Sequence, residues 1–424
     1  MHMPGHKGNP ILGFEPYDIT EITGADSLYD ADGIIAESEG NASRLFGCRT
    51  FYSVEGASHC IRAMLYLALQ QADHKNGRPL ILAGRNAHKS FLSAVAMLDL
   101  DVQWIYPGTG SSYLSCFKLP DLEDILSKCD PLPLAVYLTS PDYLGNVVDI
   151  GSVAQICHRY GVMLLVDNAH GAYLRFLPES AHPCDLGADM CCDSAHKTLP
   201  ALTGGAYLHV GATVPEAIAD KAKHALALFG STSPSYLVLQ SLDRLNSYLC
   251  TYGAVLKKFI PVLNGIKSEL ISAGFCLIGD EPLKITIAPK AYGYTGIELS
   301  GYLEKKGIIC EFFDPDYLVL MVTPQMTEAD IKRLKDALLS LPKAVPIKKR
   351  PPQLSVAKKA MSVREAVLAE YEILPVEKCC GRILALTSVG CPPAVPILAC
   401  GEQIDADALA CFRYYGIVKC CVVK

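Results

Sequence analysis

The sequence has 424 residues, of which 50% are apolar and 19% charged, and its net charge is -6 with a pI near 6.0. This length predicts two or three globular domains with a large buried core, and the composition excludes a disordered protein. Because no segment of the chain carries a basic stripe, we do not expect nucleic acid as a partner. The longest apolar runs have only strand length and no secretory signal opens the chain, so we expect a cytoplasmic protein with no membrane partner.

The cysteines give no metal or redox signature. The chain has 18 cysteines and no two of them have C-x-x-C spacing, so we expect no metal site. Several lie in apolar, strand-like runs, such as Cys191-Cys192 and Cys420-Cys421. In a reducing compartment we interpret them as small buried apolar residues.

Between residues 50 and 210, short apolar runs alternate with amphipathic stretches. Apolar residues recur every three or four positions in 57–71, which predicts a helix. The elements predicted next are a strand at 79–83, a helix at 89–98, strands at 102–106 and 134–139, a helix at 150–160 and a strand at 162–167. This alternation predicts a three-layer α/β domain, in which helices cover both faces of a mostly parallel sheet.

In the second half of the chain, the sequence pattern predicts further, smaller units. Two long helices are predicted at 215–228 and 235–273. A smaller α/β domain follows, with strands at 275–278, 284–288, 308–312 and 318–322 and helices at 295–306 and 328–339. A linker rich in Pro and Lys at 342–352 leads to a small C-terminal domain with a helix at 362–370 and strands at 392–400 and 418–423. The predicted domains are therefore 1–262, 263–341 and 342–424.

The segment DSAHKTLPALTGGAYLH, residues 193–209, carries the most chemical information. Its Lys197 is flanked by Ser194 and His196. A lysine with a lowered pKa can form a Schiff base with an aldehyde. Asp167, about thirty residues earlier, closes a predicted strand, and ligands of parallel sheets bind at such strand ends. The spacing of about thirty residues between Asp167 and Lys197 suits pyridoxal phosphate, whose aldehyde binds a lysine and whose pyridine nitrogen pairs with a carboxylate. If only Asp167 and Lys197 are considered, an ordinary pair of surface residues is the alternative interpretation.

Other polar groups fit the same ligand. Gly56, Ala57 and Ser58 open a predicted helix, where free N–H groups and a hydroxyl bind phosphate, and an ordinary helix N-cap is the alternative. His88 follows the strand at 79–83 and is placed to stack on a flat ring, although a hydrogen-bonded loop histidine is also compatible. The hydroxyls of STSPSY, residues 231–236, indicate either a phosphate contact or a helix cap.

Many motifs, in order, resemble the ornithine/lysine/arginine decarboxylase family in its short bacterial form. They are HMPGHKG, DITEITGADSL, EGNASRLFG, RNAHKS, DNAHGAYL, DSAHKTLPALTGGAYLH, STSPSY, GIICEFFDPDYLVLMVT and PPAVPILACGE. The resemblance implies the aspartate-aminotransferase-like fold, pyridoxal 5'-phosphate as cofactor, and decarboxylation of a basic amino acid. It also implies a homodimer or a larger homo-oligomer with shared active sites.

The resemblance implies a role for each matching residue. Lys197 would bind the cofactor aldehyde, Asp167 the pyridine nitrogen, and His88 would stack on the ring, while His196 would lie at the reaction centre. The remaining cofactor-binding positions are Gly56, Ala57, Ser58, Ala169, His170 and Ser194, together with Ser231 and Thr232, which would reach the neighbouring subunit's phosphate.

The sequence departs from the family's pattern at several points. Ala57 stands where some relatives have threonine, and His170 stands where the long forms have tryptophan. Since the chain begins almost at the PGHKG motif, we expect neither the leading segment of the relatives nor the regulator-like wing of the long forms.

Decarboxylation is favoured over transamination by a missing arginine. Aminotransferases of this fold hold the substrate carboxylate with an arginine near the last strand of the small domain, and the matching stretch YLVLMVTPQ has none. For the substrate, Glu311 matches an acidic position near the distal end, whereas Asp314 and Asp316 fit an exposed acidic turn equally well. Short forms are often arginine decarboxylases, so arginine is slightly favoured over lysine and ornithine. A catalytically degenerate scaffold, an aminotransferase and another lyase stay as alternatives.

Overall fold

The protein is described from a computed structural model that covers residues 2–72, 77–107, 122–386 and 396–424. The chain divides into two compact units. The first consists of Met1–Pro79, Leu122–Ser140 and Asp149–Lys257, and the second of Leu80–Asp121, Pro141–Val148 and Lys258–Lys424. The domain boundaries expected at 262 and 341 stay a prediction.

The first unit alternates helices with short strands. Its helices are α1 (Ile34–Phe46), α2 (Ala57–Leu69), α4 (Leu122–Ser127), α5 (Ile150–Arg159), α6 (Ala195–Thr198), α7 (Glu216–Ala219), α8 (Ala222–Phe229) and the start of α9 (Tyr236–Ser272). Its strands are β1 (Arg49–Ser53), β4 (Ala135–Thr139), β5 (Met163–Asp167), β6 (Met190–Asp193) and β7 (Ala206–Val210).

The second unit contains the remaining elements. Its helices are α3 (Lys89–Leu98), α10 (Gly296–Glu304), α11 (Glu328–Leu339), α12 (Val363–Leu368) and α13 (Ala406–Tyr414). Its strands are β2 (Leu80–Gly84), β3 (Asp101–Ile105), β8 (Leu277–Ile278), β9 (Lys284–Ile287), β10 (Phe312–Phe313), β11 (Leu318–Met321), β12 (Tyr371–Pro375) and β13 (Lys419–Val423). Short 3-10 turns lie at Glu15–Tyr17 and Ala172–Phe176 in the first unit and at Pro289–Tyr292 and Val376–Lys378 in the second.

Taken in each unit by itself, the large sheet has three parallel pairs, β2-β3, β4-β5 and β5-β6. In the first unit the order is β1-β7-β6-β5-β4, with β4, β5 and β6 parallel and β7 antiparallel to both of its neighbours. In the second unit β2 and β3 pair in parallel. All five residues of β5 are buried, as expected for a strand covered on both faces. The α/β class and the mostly parallel sheet are thus confirmed.

The second unit also carries two antiparallel sheets. One has the order β10-β11-β9-β8, and the other pairs β12 with β13. Beneath the latter lies an apolar cluster that includes Leu384, Ile397 and Phe412. Helices α10 and α11 each begin with a capping box, in which Thr295 pairs with Glu298 and Thr327 with Asp330. Such boxes satisfy the first free N–H groups and fix where a helix starts.

Three predicted elements differ from the structure. The helix predicted at 215–228 is two helices, α7 and α8, separated at Asp220-Lys221. The strand predicted at 308–312 is wrong except at its last residue, because β10 is only Phe312–Phe313. Of the strand predicted at 392–400, positions 392–395 lie outside the described residues, and 396–400 are not extended strand. No helix within the described ranges is long and apolar enough to cross a membrane.

Candidate active site

Lys197 lies on the one-turn helix α6, directly after strand β6. Its Nζ lies 3.1 Å from Nε2 of His170. The Ser194 N–H donates to the Ala169 carbonyl at 3.3 Å, which joins the segment that follows β6 to the turn that follows β5. Because β5 and β6 are parallel and paired, with Asp167 opposite Cys192, both loops lie at the carboxyl end of the sheet, where ligands bind in this fold class.

Asp167 is a buried carboxylate, only 2% exposed, at the last position of β5. Its Oδ1 accepts from the Ala169 N–H and its Oδ2 from the Tyr137 hydroxyl, both at 3.2 Å. Burial, and then the charge of Asp167, raise the pKa of Tyr137 well above its ordinary value. Tyr137 therefore stays a neutral donor that fixes the carboxylate. Sequence reasoning missed this tyrosine, although its position in the strand predicted at 134–139 was available as a signal.

His196 is held by Gly205. Its backbone N–H and its Nδ1 both lie within hydrogen-bond distance of the Gly205 carbonyl, at 3.2 and 3.0 Å. Because a carbonyl only accepts, Nδ1 carries the hydrogen, and in the neutral ring Nε2 holds the lone pair. His196 thus presents one defined nitrogen for proton transfer.

The start of α2 adjoins the lysine segment through two adjacent glycines. The Gly56 N–H donates to the Gly204 carbonyl at 2.8 Å, next to the Gly205 carbonyl that holds His196. Gly56 has a φ of 72°, no side chain caps the helix, and a Cβ at Gly56 would meet no atom within 4 Å. The structure therefore brings Gly56, Ala57 and Ser58 close to the lysine segment and leaves space at this N-terminus.

The remaining predicted positions are His88, Glu311, Ser231 and Thr232. His88 caps α3, where its Nδ1 lies 3.2 Å from the Ser90 N–H. Glu311 is exposed and accepts from the Tyr143 hydroxyl at 2.7 Å. Both belong to the second unit, so their roles stay predictions. Ser231 and Thr232 are exposed on the first unit, and the Ser231 N–H donates to Glu55.

The donor set fits pyridoxal phosphate. An amine at Lys197, a buried carboxylate at Asp167, and an uncapped helix start with open space at Gly56 match its aldehyde, pyridine nitrogen and phosphate in turn. No metal ligand is needed for this fit. The group thus has the parts of a cofactor site on a three-layer α/β fold.

The fold is shared with solved structures of two lysine decarboxylases and of one protein that carries PLP. The lysine decarboxylase LdcF of Francisella novicida matches with a TM-score of 0.80 at 17% identity, covering 100% of this chain and 79% of that chain. The constitutive lysine decarboxylase of E. coli matches with a TM-score of 0.77 at 17% identity, over the same shares. SPT with its PLP internal aldimine matches with a TM-score of 0.54 at 13% identity, over 72% of this chain and 75% of that one. These define the class: an α/β protein of the type I pyridoxal-phosphate fold.

Sequence comparison identifies the family. Residues 7–260 match the Orn/Lys/Arg decarboxylase major domain, and residues 348–421 match the C-terminal domain of that family. The arginine decarboxylase of Halalkalibacterium halodurans is 30% identical over 97% of this chain and 89% of that protein. The arginine decarboxylase of Bacillus subtilis is 28% identical over 96% and 89%. The chain belongs to the Orn/Lys/Arg decarboxylase family, and the predicted family and enzyme class are confirmed.

Proposed function

We propose that this protein decarboxylates a basic amino acid, with arginine favoured, using pyridoxal 5'-phosphate held by Lys197. The observation that carries the proposal is the junction of Lys197, His170 and Asp167 on adjacent loops at one end of the sheet. A scaffold without catalysis would have no use for a lysine, an imidazole and a buried carboxylate at this place.

Each group of the site has a separate task. When bound, pyridoxal phosphate supplies an electron sink for the bond that breaks at the substrate α-carbon. Asp167, oriented by Tyr137, would hold the protonated pyridine nitrogen, and His88 would stack on the ring. Ala57 and Ser58, at the start of α2, would hold the phosphate through N–H groups and a hydroxyl.

Proton delivery is assigned to His196 or Lys197. Gly205 fixes the His196 ring so that Nε2 alone can carry a transferable proton in the protonated state. Lys197 can return a proton from Nζ once its amine is free. A site that excludes water favours the loss of neutral carbon dioxide.

Substrate selection is assigned to Glu311. Its carboxylate would pair with the cationic end of the side chain, and the Tyr143 hydroxyl holds one of its oxygens. Arginine is favoured because relatives that align over nearly the whole chain are arginine decarboxylases. A homodimer is part of the proposal, since the exposed Ser231 and Thr232 would complete the site of a second copy.

The testing experiment identifies products by mass spectrometry. Purified protein with pyridoxal phosphate is offered arginine, lysine and ornithine separately. We expect agmatine from arginine, and no amine from a Lys197→Ala variant, which lacks the amine that holds the cofactor. No amine from any of the three substrates, although borohydride bleaches the yellow protein, would exclude decarboxylation of a basic amino acid. Steady transfer of amino groups to an added α-keto acid would indicate an aminotransferase.

A further inference from the structure

Asp193 is a buried carboxylate that has no role in the chemistry proposed above. It is the last residue of β6, and its side chain is fully buried. Its Oδ2 accepts from Nε2 of His182 and from Nε2 of His209, at 3.1 and 3.0 Å, and its Oδ1 accepts from the Asn168 amide at 2.6 Å. All three donor residues are also fully buried. An ionised carboxylate only accepts hydrogen bonds, so the Asn168 group that faces it is the NH2 group.

The two imidazoles keep Asp193 ionised. Burial acts to raise the pKa of Asp193, but the charges and hydrogen bonds of His182 and His209 hold it well below its ordinary value. Burial likewise acts to lower the pKa of each imidazole, and the Asp193 carboxylate raises it above the ordinary value. A buried charge is tolerated when it is paired and hydrogen-bonded in this way. The three side chains therefore form a compensated ionic group in the core.

Packing fixes both imidazole rings. The centroid of the Phe46 ring lies 5.6 Å from that of His182 and 4.6 Å from that of His209, and the two imidazoles meet edge to face at 4.9 Å. Nδ1 of His209 lies 2.9 Å from Oγ1 of Thr50. Because His209 belongs to β7, Thr50 to β1 and Phe46 to α1, three further elements hold the rings. The Asp193 carboxylate is therefore anchored to the sheet and not only to its own strand.

Asn168 connects this anchor to the turn that follows β5. It comes directly after Asp167, its N–H donates to the Cys192 carbonyl at 3.0 Å, and its carbonyl accepts from the Gly171 N–H at 2.7 Å. Gly171 leaves room for the amide, because a Cβ at this position would overlap Oδ1 of Asn168. The backbone and the side chain of Asn168 are therefore both bound to the end of β6.

The Asn168–Asp193 hydrogen bond joins the two loops that would hold opposite ends of the cofactor. On the first loop, Asp167 would bind the pyridine nitrogen. On the second, Lys197 follows Asp193 by four residues and would bind the aldehyde, and its Nζ lies 3.1 Å from Nε2 of His170 on the first loop. A misplacement of about 1 Å in such a site can cost about 100-fold in rate. The separation of the two cofactor-binding groups therefore depends on a bond that neither of them makes.

Given the proposed function, on which this step rests, we propose that Asp193, acting through Asn168, is a positioning residue of the candidate active site. It sets the separation between the amine and the carboxylate that would hold the cofactor. Replacing a buried ion pair by well-packed apolar side chains is often neutral or stabilising, so stability alone does not explain a charged group in this core. Its place at the strand end that leads to the lysine does.

Asp189 provides a matched control, because it is a second buried carboxylate that pairs with a histidine, at the opposite end of β6. It comes directly before β6 and is 5% exposed. Its carboxylate accepts from the Leu164 N–H, the Thr213 hydroxyl and Nε2 of His158, at 2.6, 2.6 and 3.1 Å. Because β6 runs parallel to β5, this is the amino end of the strand, away from the candidate active site. Asp189→Asn should therefore lower stability without displacing the cofactor-binding groups.

The test measures cofactor binding by the full-length protein, separately from activity. Wild type, Asn168→Ala, Asp193→Asn and Asp189→Asn are titrated with pyridoxal phosphate, and the absorbance of the bound cofactor is followed across pH. We expect Asn168→Ala and Asp193→Asn to bind the cofactor about 10-fold or more weakly. The pH at which the absorbance band changes should also shift, because the lysine amine then lies differently relative to the Asp167 charge. Asp189→Asn should have a lower unfolding temperature but bind the cofactor as wild type does.

Asn168→Ala guards against an Asp193→Asn chain that fails to fold, since it leaves the carboxylate and both imidazoles in place. Equal cofactor binding and an equal pH profile for Asn168→Ala and wild type would overturn the positioning role and leave the proposed function standing. So would a loss of cofactor binding in Asp189→Asn as large as that in Asn168→Ala, because the effect would then follow stability alone. A folded wild-type protein that binds no pyridoxal phosphate would overturn the proposed function and the positioning role together.

Discussion

Asp314 has one oxygen bound by the backbone and one without a partner. Its Oδ1 accepts from the N–H groups of Asp316 and Tyr317, at 2.6 and 2.7 Å. Its Oδ2 is buried, and within the described ranges it has no hydrogen-bond partner. Burial raises the pKa of Asp314 from 3.8 to about 6, Asp316 adds to the rise, and the backbone N–H groups and Lys290 oppose it. The folded protein therefore holds this proton more tightly than the unfolded chain does.

The pH dependence of stability follows from this raised pKa. A carboxyl whose pKa is raised by folding costs stability as the pH rises from about 4 to about 6, and the cost is constant above. We expect Asp314→Asn, which keeps an oxygen for both N–H groups, to stabilise the protein by about 1–3 kcal/mol at pH 7.5. Near pH 4 the gain should be much smaller, because the Asp314 carboxyl is then protonated in the folded protein and largely protonated in the unfolded chain. Thermal unfolding of both proteins across this range provides the measurement, and an equal gain at both pH values would contradict the assignment.

Glu311 is the residue on which the proposed substrate preference depends. We expect Glu311→Gln to raise the apparent KM for the basic substrate by about 10- to 100-fold, because a charge-assisted hydrogen bond is lost. The change in kcat should be small, since the contact lies far from the α-carbon. Steady-state kinetics with arginine measures both values. Tyr143→Phe is the matched control, because it removes the hydroxyl that donates to Glu311 but keeps the carboxylate; an unchanged KM for Glu311→Gln would rule out the assigned role.

At the scale of elements, predictions succeeded where the apolar pattern is continuous and failed where a short turn interrupts the segment. Helix α3 begins and ends as predicted, at 89 and 98, because its apolar period is continuous. Helix α9 also continues through Pro261 as predicted. The prediction of a single helix at 215–228 was wrong, because the apolar pattern does not reveal the turn at Asp220-Lys221 that separates the two helices.

Gly204 shows how one close backbone approach holds two elements together. Its φ is +98°, and a Cβ would lie 2.6 Å from the Val54 carbonyl oxygen. Since that oxygen belongs to the backbone, the clash cannot be relieved by a rotamer change. Gly204 also accepts from Gly56, so a shift here would displace the start of α2 from the lysine segment.

We expect Gly204→Ala to lower the stability by about 2 kcal/mol or more, and to weaken retention of pyridoxal phosphate. The measurements are thermal unfolding and cofactor absorbance after gel filtration. Gly265→Ala is the control, because Gly265 lies within α9 and a Cβ there meets no atom within 4 Å. That change should be neutral or stabilise by up to about 1 kcal/mol. Equal behaviour of the two variants would argue against the role of Gly204.

At the scale of the whole molecule, the second unit is joined internally by a buried ion pair between distant parts of the chain. Nη2 of Arg85 lies 3.0 Å from Oε2 of Glu402, and both side chains are almost fully buried. The same guanidinium donates to the Ile397 carbonyl and lies over the Trp104 ring. The pair thus fixes the C-terminal region to the strand end that leads to His88.

We expect Glu402→Ala to destabilise the second unit by about 3–5 kcal/mol, because it leaves a buried guanidinium without its carboxylate. Calorimetry should show a loss of several degrees in the unfolding temperature. As a control, Lys128→Ala removes an exposed ion pair with Asp124 and should change stability by less than about 0.5 kcal/mol. A similar small change for Glu402→Ala would mean that the buried pair does not hold the unit together.

The sequence by itself determined the α/β class, the family, and the lysine and aspartate of the candidate site. These follow from local apolar periods and from motifs whose residues are close in the chain. Only the tertiary structure brought Tyr137 to Asp167 and Gly204 to the start of α2. Those contacts join residues that are distant in the chain, and their separations depend on how strands pair and loops close, which no local pattern records.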